Sequence, residues 1–266
     1  MHGLVIVDKN QNVLRPSIIW CDSRAVEIGN EAFNNIGEEY CLNHFLNSPG
    51  NFTASKLRWI KEHEPEIFDK IDKIMLPGDF LAMKLTGVIS TSVSGLSEGI
   101  FWDFTTNTVS DKLLNYYEIP ENKIPQVNST FSNQGKILSS VAEELGISSD
   151  AIVSYRAGDQ PNNAFSLNVL NAGEVAANAG TSGVVYGVID ENNFDKYSRV
   201  NQFAHVNYMN DSIKLGVLLC INGTGILNSW IRKNFASGLS YSEMNESAKA
   251  IPIGSKGVVV LPFGNG

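Results

Sequence analysis

The spacing of apolar residues changes along the chain, and each change predicts a different element. "LVIVD" (residues 4–8) and "VLRPSIIW" (13–20) flank the polar turn "KNQN", the pattern of a β-hairpin over residues 3–20. A helix follows in "RAVEIGNEAFNNIG", with Asp22 or Ser23 as its cap and Gly37 as its end. In "ASKLRWIKEH" Leu57, Ile60 and Glu64 step along one side of a second helix until Pro65 interrupts it. "KIMLP" reads as a short buried strand, and "DFLAMKLTG" as a short helix closed by Gly87. Residues 88–108, rich in Ser, Thr and Gly, read as loop with short strands. Ser110 caps a helix in "SDKLLNYYEI"; Ser139 or Ser140 caps another in "SSVAEELG", closed by Gly146. "AIVSYRAG" reads as a strand that delivers Asp159, and "PNNAFSLNVL" opens a helix with Pro161 in its first turn.

From Gly173 the pattern becomes strand-rich. "EVAANAGTSGVVYGVI" predicts two strands around a turn, and "NQFAHVNYM" with "SIKLGVLLC" a further hairpin. "GTGILNSWIRKNF" and "SYSEMNESAKAI" are helical, the latter opening on a Ser-x-x-Glu capping box. "GVVV" near the end reads as one more strand. The mixed pattern is α/β, and the switch in character at residues 167–173 predicts one domain over 1–167 and a second over 168–266.

Composition narrows the function. The 266 residues are 43% hydrophobic and 18% charged, enough to bury a core. A net charge of −8 disfavours nucleic acid, and neither a basic amphipathic helix nor a long apolar run suggests a membrane. Three scattered cysteines (Cys21, Cys41, Cys220) give neither a disulfide framework nor a zinc site, which fits a reducing cytoplasm. "MHGLVIVDKNQ" does not read as a signal peptide. Strands at both extremities predict a fragment, open at both ends.

Chemistry concentrates in "AGDQPNNA" (157–164) and "NAGTSGVVYG" (178–187). Asp159 has two readings: a helix N-cap, or a carboxylate base beside a helix N-terminus that takes a hydroxyl proton during phosphoryl transfer. The turn at Gly180, Thr181 and Ser182 is either a plain hairpin turn or a backbone cradle for phosphate; it is not a Walker A loop. "GTG" ending at Gly225 is a flexible N-cap or a helix start near a nucleotide. His2 reads as solvated, and His44, His63 and His205 as structural, with no metal spacing. Trp20 and Asp22 are either core and cap, or an aromatic wall and polar partner of a sugar pocket.

Taken in order, these segments resemble the FGGY family of carbohydrate kinases, most of all its xylulose-phosphorylating members. The resemblance rests on "MHG", "IIWCDSR", "KLRWIKEHEPEIF", "IMLPGDFLAMKLTG", "TSVSGLSEGIFWDF", "AGDQPNNA", "NAGTSGVVYG" and "LPFGNG", and spans essentially the whole chain. It implies an actin-like, ribonuclease H-like ATPase fold of two domains around a cleft, sugar mostly on the first and ATP mostly on the second. It further implies Asp159 as the base that deprotonates the sugar, here D-xylulose at its C5 hydroxyl. Met1 and His2 would contact the sugar, with Trp20 and Asp22 nearby, and Gln160 would hydrogen-bond it. Gly180, Thr181 and Ser182 would hold ATP phosphate, and Gly225 would lie near the nucleotide. Mg2+ would bridge the phosphates, with no protein metal ligand assigned in this chain. A homodimer is compatible with the family.

Three departures bear on this. "GDQPN" stands where many xylulose-specific members have Gly-Asp-Asn-Ala-Ala, which leaves ribulose, gluconate or glycerol as alternative substrates, although "MHG" favours xylulose over glycerol. Nothing here matches the family's Asp-x-Gly-Thr phosphate loop, and its glycine-rich adenine segment would fall beyond Gly266. The expectation is that the chain by itself does not turn over. A non-catalytic sugar-binding protein on the same fold is the reading from a different class.

Overall fold

The computed structural model describes residues 2–261. Met1 and the segment 262–266, to which the sequence assigned sugar contact and the start of a further family segment, lie outside the described residues. Strand β1 (Val5–Val7) is followed by helices α1 (Val26–Ile36), α2 (Glu38–His44), α3 (Thr53–His63) and α4 (Pro65–Phe68). Next come β2 (Lys73–Met75), α5 (Pro77–Thr86), β3 (Ser90–Ser92), α6 (Val93–Glu98), β4 (Trp102–Asp103) and β5 (Thr108–Val109). Then follow α7 (Asp111–Tyr117), β6 (Gln126–Asn128), α8 (Ser139–Leu145) and α9 (Asp159–Ser166). The strand-rich part holds β7 (Val175–Ala179), β8 (Gly183–Ile189), β9 (Asn201–Ala204) and β10 (Leu215–Ile221), and α10 (Gly225–Phe235) and α11 (Tyr241–Lys249) complete it.

Strands β7 to β10 form one antiparallel sheet in the order β7-β8-β10-β9. Three two-stranded pairs, β1-β2, β3-β6 and β4-β5, complete the described sheets, and only β3-β6 is parallel. The main core gathers Leu57 and Ile60 from α3, Ala32 from α1, Phe45 after α2, and Leu113 and Tyr117 from α7, around Phe101 and Phe104. Phe203 and Ala204 of β9 and Leu215 of β10 belong to this same cluster, so the later sheet packs on the earlier helices. Burial of such residues at about 25 cal/mol per Å2 is the main force joining the two. Polar ties reinforce the seam: Asn47 Nδ2 donates to the Gln202 carbonyl at 2.6 Å, the Gln202 amide donates back to Asn47 Oδ1 at 2.9 Å, and the Ala204 amide donates to Ser97 Oγ at 2.9 Å.

Several local expectations are corrected. The hairpin over 3–20 reduces to the single bridges Leu4–Ile18 and Val7–Val13, while β1 pairs instead with β2. Pro16 has no N–H to donate and interrupts the return strand. The turn itself is held by Asp8 Oδ1, which accepts from the amides of Asn10 and Asn12. Residues 93–98 are a helix rather than loop, capped by Ser92 Oγ accepting from the Gly95 amide, because burial outweighs the weak helix propensity of its serines and glycine. "AIVSYRAG" is not a strand; Ile152 and Tyr155 make single bridges to Lys136 and Phe131. Residues 258–261 are irregular, not a strand. Neither α1 nor α8 takes a side-chain cap, their N-caps being Ala25 and Leu138. The predicted Ser110 cap and the Ser240–Glu243 capping box both form. Cys21, Cys41 and Cys220 are free thiols, and among the described residues no helix is long and apolar enough to cross a membrane.

Candidate active site

Asp159 is the first residue of α9, and Gly158, not Asp159, is the N-cap. The N-cap reading of Asp159 therefore gives way: its exposed carboxylate sits on the first turn, near the positive end of the helix dipole. Gln160 Nε2 donates to Asp159 Oδ2 at 3.1 Å. Partial desolvation pulls this carboxyl upward, but the Gln160 bond is among the contacts that leave it, on balance, below the ordinary carboxylate range. Asp159 is therefore ionised at neutral pH, the form a proton acceptor needs.

His2 lies beside this turn. Its Nδ1 is 3.0 Å from the Glu98 carbonyl oxygen, and its ring packs edge-on against Phe52 at 4.7 Å and tilted against Phe203 at 5.4 Å. A carbonyl can only accept, so Nδ1 carries the proton and Nε2 is left as an acceptor. Burial pushes the imidazole down to about 4, so it is neutral at physiological pH rather than a solvated cation.

Lys56, on the inward face of α3, is 0% exposed. Its Nζ donates to the carbonyls of His2 at 3.1 Å and Trp20 at 3.4 Å. Burial pulls the ammonium down to about 8, with the Asp22 carboxylate acting in the opposite direction. One buried cation thus gathers the His2 strand and the Trp20 loop. Trp20 is 67% exposed, so it is not a core residue. Asp22 caps no helix: it grips the Arg24 guanidinium through Nε at 2.9 Å and Nη2 at 2.7 Å, and its backbone carbonyl accepts from Asn51 Nδ2. Arg24 in turn stacks over Trp59, 4.6 Å from the ring centre.

Along α9, a cavity of about 380 Å3 opens between Gln160, Asn163 and Ala164 and the strand residues Ala177, Asn178 and Ala179. Strand β7 then runs into the turn Gly180–Thr181–Ser182, whose three residues are exposed. The start of α10 closes on that turn: the Gly225 amide donates to the Gly180 carbonyl at 2.9 Å, the Ile226 amide to the Thr181 carbonyl at 3.1 Å, and Thr224 Oγ1 to the Gly180 carbonyl at 2.9 Å. A Cβ on Gly225 would lie 2.5 Å from the Gly180 oxygen, so only glycine permits this approach. The structure therefore joins the two glycine motifs, but the first amides of α10 are committed to the turn's carbonyls. An exposed small-residue turn with two hydroxyls, braced from behind, fits a phosphate group. Among the described residues no cluster of three or more His, Cys, Asp or Glu is placed to hold a metal ion.

The other histidines have structural partners. His44 Nδ1 meets Asp103 Oδ2 at 2.8 Å, His63 Nδ1 meets the Trp59 carbonyl at 3.0 Å, and His205 bridges Tyr186 Oη and the Val169 carbonyl. Two groups carry no role in the sequence analysis. Arg156 Nε donates to buried Asp79 Oδ1 at 2.8 Å and its Nη2 to Ser90 Oγ at 2.9 Å, fixing the segment that leads to Asp159. Glu98, 2% exposed, lies directly against Gly158. Their spacings of 77 residues (Arg156–Asp79) and 60 (Gly158–Glu98, 158 minus 98) are invisible to any local pattern.

Residues 1–166 match the N-terminal domain of the FGGY family of carbohydrate kinases. The chain belongs to the FGGY family of carbohydrate kinases. It is 29% identical over 268 residues to the xylulose kinase of Bacillus subtilis, an alignment covering 99% of this chain and 52% of that protein. Among solved structures it superposes on the xylulose kinase of Rhodospirillum rubrum with a TM-score of 0.87 at 26% identity, covering 98% of this chain and 53% of that one. It also superposes on the gluconate kinase of Lactobacillus acidophilus with a TM-score of 0.89 at 22% identity, covering 99% and 53% respectively. The fold is thus the actin-like ATPase fold of FGGY kinases, mixed helix and sheet. The chain spans about half the length of the relatives it matches.

Proposed function

We propose that the protein carrying this chain is an ATP-dependent sugar kinase, with D-xylulose as its substrate and D-xylulose 5-phosphate as its product. The observation that carries the reading is the placement of Asp159: an exposed carboxylate at the head of α9, with neutral His2 beside it and a cavity between the same helix and β7, the strand that leads into the Gly180–Ser182 turn. Bound ATP with Mg2+ supplies the transferable phosphoryl group. Gly180, Thr181 and Ser182 hold its phosphates, with Gly225 bracing the turn from behind. Asp159 accepts the proton of the sugar C5 hydroxyl as that oxygen attacks the γ-phosphorus, and the bond to the ADP oxygen breaks. Gln160 holds the carboxylate and offers the rest of its amide to the sugar. Nε2 of His2 accepts from a sugar hydroxyl, Met1 adds a contact, and Trp20 and Asp22 form the outer wall.

The choice of D-xylulose is favoured by the similarity to the B. subtilis enzyme along nearly the whole chain. The test is ADP release from ATP and Mg2+ with D-xylulose, D-ribulose, gluconate and glycerol, using the longest natural polypeptide that carries this sequence. Xylulose-dependent ADP is the expected result. ADP with a different sugar overturns the substrate and keeps the kinase; no ADP with any acceptor overturns the kinase.

A further inference from the structure

The Glu98 carboxyl occupies the place where a side chain at position 158 would be. A Cβ built on Gly158 would lie 1.4 Å from Glu98 Oε1, 2.3 Å from its Cδ and 2.7 Å from Oε2. Only glycine at 158 allows a carboxyl to press against the backbone there, and the next residue is Asp159. Glu98 ends α6, a helix whose Ser94, Leu96 and Ser97 are buried, which holds its backbone in place. The backbone of the same residue reaches the other side of the candidate site, since the Glu98 carbonyl accepts the His2 Nδ1 proton.

We propose that Glu98 is a positioning residue for this site, its carboxyl buttressing the turn that presents Asp159 and its carbonyl orienting His2. The proposal rests on the kinase reading above, because the group it positions is the proposed base. The buttress works in the neutral form. Oε2 is buried and has no hydrogen-bond partner among the described residues. Besides the amino terminus, the groups facing Glu98 among the described residues are Asp159 on α9, Asp79 on α5, Arg156 on the segment before α9, His2 ahead of β1, and Tyr186 on β8. Arg156 is committed to Asp79 and Ser90, and the two carboxylates repel a negative charge. Burial pushes the Glu98 carboxyl up to about 8; the charge of the amino terminus pulls the other way, and Asp159 and Asp79 add to the rise. The cavity that Glu98 shares with Asp79, Arg156 and Gly158 measures about 10 Å3, at most one water's space, so an ionised carboxylate has no room to be solvated in place. On ionisation it is driven from the slot, and the turn loses its support.

The experiment is the pH dependence of kcat and of the sugar KM from about pH 6 to about pH 10, in the longest natural polypeptide carrying the chain. The variants are Glu98→Gln, Glu98→Ala and, as control, Asp159→Asn. The wild type should lose kcat by about tenfold per unit above about pH 8, with KM within about twofold. Glu98→Gln, neutral and of the same shape, should match wild type at neutral pH and stay flat to about pH 9.5. Glu98→Ala should lose kcat by about tenfold or more at neutral pH. A wild-type rate that stays flat to about pH 9.5 overturns the proposal, and needs no variant to fold. So does a Glu98→Gln enzyme that keeps the alkaline decline, or a Glu98→Ala enzyme with wild-type kcat. A fully active Asp159→Asn overturns the base reading, whereas an inactive Asp159→Asn beside any of those three results overturns the role of Glu98 alone.

Discussion

At the scale of single residues, the site depends on charges set by burial. Lys56 and Glu98 are both removed from water and shift in the directions that favour their neutral forms. The sign of the consequence differs. Glu98 has a folded value of about 8 against 4.5 unfolded, so between these the unfolded chain releases its proton while the folded chain keeps it. Its contribution to stability is full below about 4.5 and is lost as pH rises through about 8. Glu98→Gln should therefore flatten the decline of melting temperature across that window; thermal unfolding that declines just as steeply as wild type would contradict the assignment. Lys56 runs the other way: its folded value near 8 lies below 10.5, so its burial costs most below pH 8 and the cost is relieved above it. Lys56→Met removes the donor from two carbonyls and should uncouple His2 from Trp20, read as weaker sugar binding by about tenfold in calorimetric titration with nucleotide affinity unchanged.

At the scale of elements, the sequence was most legible where a local rule decides. Gly87 and Gly146 end α5 and α8 in the left-handed region, Ser110 caps α7, and the capping box of Ser240 and Glu243 opens α11. Where tertiary contact decides, the pattern misled. Residues 93–98 look like loop because serine and glycine favour turns, yet they form α6 once buried under β9. The strand expected before Asp159 is an irregular segment held instead by Arg156 on Asp79, a pairing that no spacing announces. Asp159, Gln160 and the β7–β8 turn were legible as motifs; Glu98 was not, because the role proposed for it depends on what lies against Gly158. The contact of Gly180 with Gly225 makes an element-scale prediction. Gly225→Ala places a methyl 2.5 Å from the Gly180 oxygen and must separate α10 from the turn. Nucleotide binding should weaken by about tenfold or more while sugar binding holds; unchanged affinity for an ATP analogue would dissociate this turn from the nucleotide.

At the scale of the molecule, helices with short strand pairs fill the chain up to α9, and a four-stranded antiparallel sheet follows it. The two parts nevertheless share one apolar cluster through Phe203, Ala204 and Leu215. Helix α9 stands where they meet, with Asp159 at its head and the cavity toward β7 along its flank. In the proposed reaction this carboxylate takes the proton of an acceptor hydroxyl as it attacks the phosphate. The most direct test is Asp159→Asn, with ADP release and D-xylulose affinity measured on the same preparation. The expected result is a loss of about 10^2 to 10^4 in kcat with the sugar dissociation constant unchanged. A variant that turns over at the wild-type rate would contradict it, leaving Asp159 as no more than an acidic residue in the first turn of α9.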